Sequence, residues 1–172
     1  MDKHLAFKSM LQGNLSLFIN RILKYHKSKS LLDFKSYNEL AFKTAIELLL
    51  PIKHRISEMC LMIDGHSGFI DIFINGIIKD KMQSSVILEL KCISLLGLLS
   101  GEKGEWVENM NFQTLKKLDE EIENETEDKL LERKYFYYSK DDKIYKQVTV
   151  KEIIDNGIEQ LKRYIKTMQK GK

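Results

Sequence analysis

The chain has 172 residues, 43% of them apolar or aromatic and 31% charged, which is enough apolar material for one domain with a buried core. Its single proline argues against a linker-rich or disordered chain. No apolar run approaches the ~20 residues of a membrane helix, the N-terminus lacks a secretory signal's continuous apolar stretch, and Cys60 and Cys92 make no disulfide framework, so an intracellular protein is expected.

Net charge is only +3, but it is unevenly placed. Residues 1–55 carry ten basic and four acidic groups, residues 102–134 six and eleven, and residues 135–172 nine and five. Basic ends around an acidic segment could attract a polyanion on one face.

In chain order, the first 35 residues read as one or two amphipathic helices, with Leu15, Phe18, Ile19, Ile22 and Leu23 at helical spacing. Lys24, Lys27 and Lys29 follow at the helix end, where cations suit the dipole. The next helix starts near Asn38, a residue able to cap it, and stops at Pro51. One face of it carries Glu39, Phe42, Ile46 and Leu49.

The period then changes. Ser57–Ile63, Gly68–Ile74 and Ser85–Lys91 are short runs rich in Ile, Leu, Val, Phe and Met, separated by DGHSG at 64–68 and by Asn75-Gly76 opening a polar loop. They predict a three-stranded meander. The acidic stretch 112–132 reads as helix, Tyr135–Val150 as a hairpin turning at Asp141–Asp142, and Val150–Met168 as a last helix. The stripe of that helix is Ile153, Gly157, Leu161, Tyr164 and Met168, with Gln160 beside it. The expected class is α/β (α+β) with a central sheet.

Three E-x-K tripeptides occur. Glu127-Asp128-Lys129 and Glu132-Arg133-Lys134 lie in the acidic helical stretch and read as solvated surface, whereas Glu89-Leu90-Lys91 ends an apolar strand. Alternation puts Val86, Leu88 and Leu90 on one face and Ile87, Glu89 and Lys91 on the other. Asp71 interrupts the neighbouring run Phe69–Ile74, and a hairpin centred near Asp80 sets Asp71 directly across from Glu89. Two carboxylates so placed repel and are costly to desolvate unless a hard cation sits between them. Oxygens of Asp71, Glu89 and the Leu90 carbonyl suit Mg²⁺ or Mn²⁺, and Lys91 could position or deprotonate a metal-bound water. That is equipment for phosphodiester hydrolysis. Taken singly, an Asp in a strand is otherwise an edge or bulge residue, and a Glu–Lys pair a salt bridge.

This order of features resembles the PD-(D/E)XK nuclease superfamily, and within it the nuclease-like domain at the C-terminus of AAA-ATPase-like proteins. The matching stretches are MLQGNLSLFINRIL at 10–23, NELAFKTAIELLL at 38–50, Gly68-Phe69-Ile70-Asp71, Ile87-Leu88-Glu89-Leu90-Lys91, and Gly157, Gln160, Leu161 and Tyr164. The resemblance covers roughly residues 10–166. It implies a restriction-endonuclease-like core with a central mixed sheet flanked by helices, residues 36–172, preceded by a helical extension, 1–35. It implies a metal-dependent nuclease acting on DNA, with Asp71 and Glu89 as metal ligands and Lys91 orienting or activating water. Glu39 becomes the helix carboxylate that assists metal or water, with Glu47 as its rival on another face, and Gln160 the polar residue of the last helix.

Ile70 stands where the superfamily carries proline, and its usual fourth core strand after the Gln-bearing helix is missing. An uncovered sheet edge would favour pairing with a second chain. There is no G-x-x-x-x-G-K-[ST] loop, so an ATPase partner domain is expected to lie outside this polypeptide. A catalytically inactive nuclease fold that binds nucleic acid or protein is the competing expectation.

Of the remaining residues, His66 reads as a solvated turn histidine, and His4, His26 and His54 have no ligand spacing. The run Lys134–Lys140, rich in Tyr and Phe, could stack bases but also suits a strand packed on the core. Lys162, Arg163, Lys166 and Lys170 could meet phosphates or form a solvated helix face, and Trp106 reads as a core or interface anchor.

Overall fold

The computed structural model describes residues 3–28, 38–63, 66–78, 81–82, 84–107, 111–139 and 142–170. The chain divides into two compact units, one of Met1–Ser28, Glu39–Leu90 and Gly157–Lys172, the other of Lys29–Asn38 and Lys91–Asn156. Lys29 and Asp141, expected at a helix end and at a hairpin turn, lie outside the described residues.

The first unit opens with helices α1 (Lys3–Leu11) and α2 (Ser16–Lys27), so the N-terminal segment is two helices and not one. Gly13 breaks the run at φ +86°, a conformation that costs glycine little, and donates its N–H to the Met10 carbonyl at 2.9 Å. Asn14 then accepts the Ser16 N–H at 3.1 Å as α2 begins.

Helix α3 (Glu39–Leu49) starts just after Asn38 and ends before Pro51, whose ring disfavours helical geometry in the residue ahead of it. A short 3₁₀ turn, Ile52–His54, leads into strand β1 (Arg55–Ile63). The Arg55 guanidinium donates to the Glu47 carbonyl, and the Glu47 carboxylate accepts the Ser57 hydroxyl, so the end of α3 is tied to the start of β1.

Strand β2 (His66–Ile74) pairs antiparallel with β1, and β5 (Val86–Leu88) pairs antiparallel with β2, giving the order β1-β2-β5. This is the meander read from the sequence. The connection from β2 to β5 carries a two-stranded ladder of its own, β3 (Ile77–Ile78) with β4 (Lys81–Met82), where the sequence suggested only a polar loop.

Alternation along β2 sends Ile70, Ile72 and Ile74, each 0% exposed, to one side. Ile72 and Ile74 pack there with Phe7, Met10 and Leu11 of α1, Phe18 of α2, and Ile46 and Leu50. Burying such side chains contributes about 1.5–3 kcal/mol each. The segment expected as an N-terminal extension therefore supplies half the core of its unit.

In the second unit, helix α4 (Leu95–Lys103) is capped by Ser94, whose hydroxyl accepts the Gly97 N–H at 3.1 Å, and it ends at Gly104 with φ +73°. Helix α5 (Phe112–Glu123) is capped by Asn111, which accepts from Gln113 and Thr114. Helix α6 (Glu127–Glu132) follows, so the acidic stretch is helical with one break.

Strands β6 (Lys134–Ser139) and β7 (Ile144–Thr149) form an antiparallel hairpin that runs directly into helix α7 (Val150–Lys170). Leu98, Leu99, Leu118 and Val150 make the core of this unit, with Ile122, Leu131 and Tyr135 packed against it. A side chain at Gly101 would run into the main chain at Lys134, so the missing Cβ is what lets α4 lie against β6.

The sheets correct one expectation. Every ladder among the described residues is antiparallel, where a mixed sheet was expected, and β6–β7 pairs only with itself. Short connections between consecutive strands favour this, because a parallel pair needs a long crossover.

Candidate carboxylate site

Ile72 faces Leu88, Phe73 faces Ile87 and Ile74 faces Val86. The ladder ends at that first pair; its register, carried one position further, would set Glu89 opposite Asp71. The strand expected over Ser85–Lys91 closes earlier, at Leu88. Asp71 Oδ2 accepts the Leu90 main-chain N–H at 2.7 Å, and this side-chain acceptor replaces a ladder partner as the chain leaves the sheet.

Asp71 and Glu89 are both half-buried. Glu89 Oε2 is shielded from water and accepts no hydrogen bond among the described residues, although the residue makes other interactions. Among the described residues no group of three or more His, Cys, Asp or Glu is gathered tightly enough to hold a metal.

The ladder of β1 against β2 adds a residue that the sequence reading missed. Ser57 faces Ile72 and Met59 faces Ile70, so Glu58 occupies the position across from Asp71 on its other side. Glu58 has φ +54°, which takes it out of regular pairing. Its carboxylate accepts from Lys43 Nζ at 2.8 Å, and that hydrogen bond, with the lysine charge, holds its pKa below the ordinary glutamate value. Lys43 itself is buried on α3. Acidic positions thus recur on three neighbouring strands: Glu58, Asp71 and Glu89. An alternating strand pattern does not reveal Glu58, because its φ is what sets it apart.

Helix α3 packs through Phe42, Ile46 and Leu49 on the Ile72/Ile74 side of the sheet, and alternation directs Asp71 to the other side. Glu39 lies in the first turn of α3 and is exposed. Glu47, its rival, is committed to Ser57 and Arg55.

Gln160 is half-buried and donates to the Tyr164 hydroxyl, which in turn donates to the Phe69 carbonyl at 2.8 Å. Through Tyr164, Gln160 reaches β2 two residues before Asp71. Gly68 allows this approach: a Cβ there would meet Ile63 Cδ1 at 2.7 Å and Tyr164 Cε1 at 3.2 Å.

Lys91 opens the longer segment of the second unit, two residues past Glu89, and is half-buried. Comparison with known proteins finds no match to a family model, a curated protein or a solved structure. No described helix is long and apolar enough to cross a membrane.

Other charged and aromatic groups have structural partners. Arg133, inside one of the two E-x-K stretches read as surface, is held by both oxygens of Glu125 at 2.7 and 2.8 Å, and by Glu102 and Glu121. Those pairings hold Glu125 below, and Arg133 above, their ordinary pKa values. Glu127, Asp128 and Lys129 are exposed as expected.

Among the histidines, His54 stacks on Phe7 with ring centroids 5.4 Å apart, burial lowers the His26 pKa, His4 is exposed, and His66 opens β2. Trp106 stacks on Tyr145 at 5.2 Å, and Tyr145 also meets Phe136 and Tyr138 of the facing strand. Lys162, Arg163, Lys166 and Lys170 are exposed on α7.

Proposed function

We propose that the chain is a divalent-metal-dependent nuclease that hydrolyses phosphodiester bonds of nucleic acid, with DNA as the first substrate to try, on the plan of the PD-(D/E)XK enzymes. The β2–β5 register supports it: its last pair is Ile72 with Leu88, and one further step of the same register would bring Asp71 across from Glu89. Asp71 is half-buried on the side of β2 opposite the isoleucines, where its carboxylate accepts one main-chain hydrogen bond, from Leu90.

A pair of carboxylates fits a magnesium-type ion, which binds through one or two of them and keeps several waters. Asp71 and Glu89 would hold it, with the Leu90 carbonyl as a further oxygen. When bound, Mg²⁺ or Mn²⁺ supplies Lewis acidity toward a phosphoryl oxygen and lowers the pKa of a water.

Lys91, fixed two residues from Glu89 by the chain, positions or activates the attacking water and offsets the negative charge of the phosphate. Gln160 acts as a positioning residue through Tyr164 and β2, while Glu39, exposed on the helix that packs on the opposite side of the sheet from Asp71, falls outside the proposed site.

A second reading, an inactive nuclease fold kept as a binding module, is favoured by the Asp71–Leu90 contact, since an aspartate that fixes a strand exit has a structural use. Incubating wild type and Lys91→Ala with single-stranded, duplex and branched substrates, with and without Mg²⁺ or Mn²⁺, separates the two. The nuclease reading expects metal-dependent cleavage that falls on the order of 10²–10⁴-fold in a folded Lys91→Ala. Binding without turnover in every condition transfers the protein to the second reading.

A further inference from the structure

Helix α7 carries two apolar lines, and only one is spent on its own fold. Gly157 and Tyr164 are buried, and Tyr164 is bonded to β2. The second line is Ile154, Ile158 and Ile165, and with the half-buried Leu161 and Met168 that it shares with the packed stripe it steps by four and three residues as the seam of a coiled coil does. Ile154, Ile158 and Ile165 are 37%, 45% and 43% exposed. Isolated exposed isoleucines are ordinary, but a line of them along one helix is a contiguous apolar surface.

Charge along the helix is polarised. Glu152, Asp155 and Glu159 outweigh Lys151 in its first half, while Lys162, Arg163, Lys166 and Lys170 stand in a second half with no acidic residue. Within the helix Lys151 pairs with Asp155 at 2.9 Å and Lys162 with Glu159 at 2.7 Å, all four side chains exposed. A helix that is acidic at one end and basic at the other matches a reversed copy of itself.

We propose that this seam docks on the same seam of a second copy of the chain, the two helices running antiparallel about a two-fold axis. Coiled-coil layering then sets Ile154 against Ile165 of the second copy and Ile158 against its Leu161, each layer occurring twice by symmetry. Asp155 comes beside Lys162 of the second copy, the exposed pairs Lys151–Asp155 and Glu159–Lys162 exchanging partners, so opposite charges flank the layers on both sides of the axis. The surface is distinct from the edge of β1, and the inference stands whether or not the carboxylate site is catalytic.

Sedimentation of the full chain over a range of micromolar concentrations tests it. The expected species has twice the 20.2 kDa chain mass. Ile158→Lys, at an exposed position, should retain the helical circular dichroism and weaken association by at least about tenfold, since a lysine is placed in the middle of the apolar seam. Asp155→Lys should weaken the dimer, and Asp155→Lys combined with Lys162→Asp should restore it, which an effect on folding alone would not do. The charge swap also reads the interface if Ile158→Lys fails to fold. A chain that stays monomeric at every concentration overturns the proposal. So does a dimer indifferent to both Ile158→Lys and the charge swap, or a monomer whose seam instead binds anionic lipid vesicles.

Discussion

The two units each set carboxylates beside packed strands, and they balance them differently. In the second, Glu102, Glu121 and Glu125 converge on Arg133, whose side chain is 12% exposed, so an internal cation answers the acidic groups. In the first, Asp71 lies between two fully buried isoleucines and its carboxylate takes a main-chain N–H, with Glu58 and Glu89 at the neighbouring register positions. The Arg133 cluster is accounted for by stability. Among the described residues the first unit has no such central cation: Asp71, half-buried, is met by a main-chain N–H at the exit of β5, and Glu58 by Lys43.

The largest effect on stability should come from the unit whose packing depends on a missing side chain. Gly101→Ala forces a methyl group against the Lys134 main chain, which cannot rotate away as a side chain could. Denaturant unfolding should show a loss of about 3 kcal/mol or more. A loss under about 1 kcal/mol would mean that α4 and β6 are free to separate.

Arg133→Met removes the internal cation and leaves three glutamates facing one another. The partners are 23–46% exposed, so water softens the effect to about 1–3 kcal/mol. The pH dependence follows in sign. Glu125 is held below its ordinary 4.5 in the folded chain, so its contribution is complete above that value and is lost as pH falls through the lower folded pKa. Unfolding midpoints measured from pH 7 down to pH 3 should therefore drop less steeply in Arg133→Met than in wild type, and equal slopes would contradict the assignment.

A smaller effect is expected on the first unit. Tyr164→Phe keeps the packed ring and deletes the hydroxyl between Gln160 and the Phe69 carbonyl, at a cost of about 1 kcal/mol in unfolding free energy. If Gln160 serves by steadying Tyr164, Gln160→Ala in the Tyr164→Phe background should add little. A full additional loss would detach it from that role.

Much of this was legible before the structure. The meander and its register were readable because Ile70, Ile72 and Ile74 alternate with Phe69, Asp71 and Phe73 between turn-forming segments, and because a hairpin has one centre. The helices at both ends followed from apolar spacing and the end of α3 from Pro51, while the break at Gly13 that makes two helices of the first segment was not read. What escaped was set by contacts distant in sequence or by single torsions. Arg133 looked like surface because its partner Glu102 lies 31 residues away. Glu58 left no trace because its φ, not its residue type, removes it from the ladder. The early end of β5 came from a side chain on the neighbouring strand. The β6–β7 hairpin was read from the sequence, and only its separation from the other sheet escaped, because a hairpin's own pairing does not say which further strands it joins.

The most direct test replaces the charge of Asp71 and keeps its shape. In Asp71→Asn the amide oxygen can still accept the Leu90 N–H, so stability should change by less than about 1 kcal/mol. Manganese binding and metal-dependent cleavage of nucleic acid should both fall, cleavage on the order of 100-fold or more. A folded Asp71→Asn that binds Mn²⁺ and cuts as wild type does would contradict the central claim, and so would a wild type that neither binds the ion nor cuts.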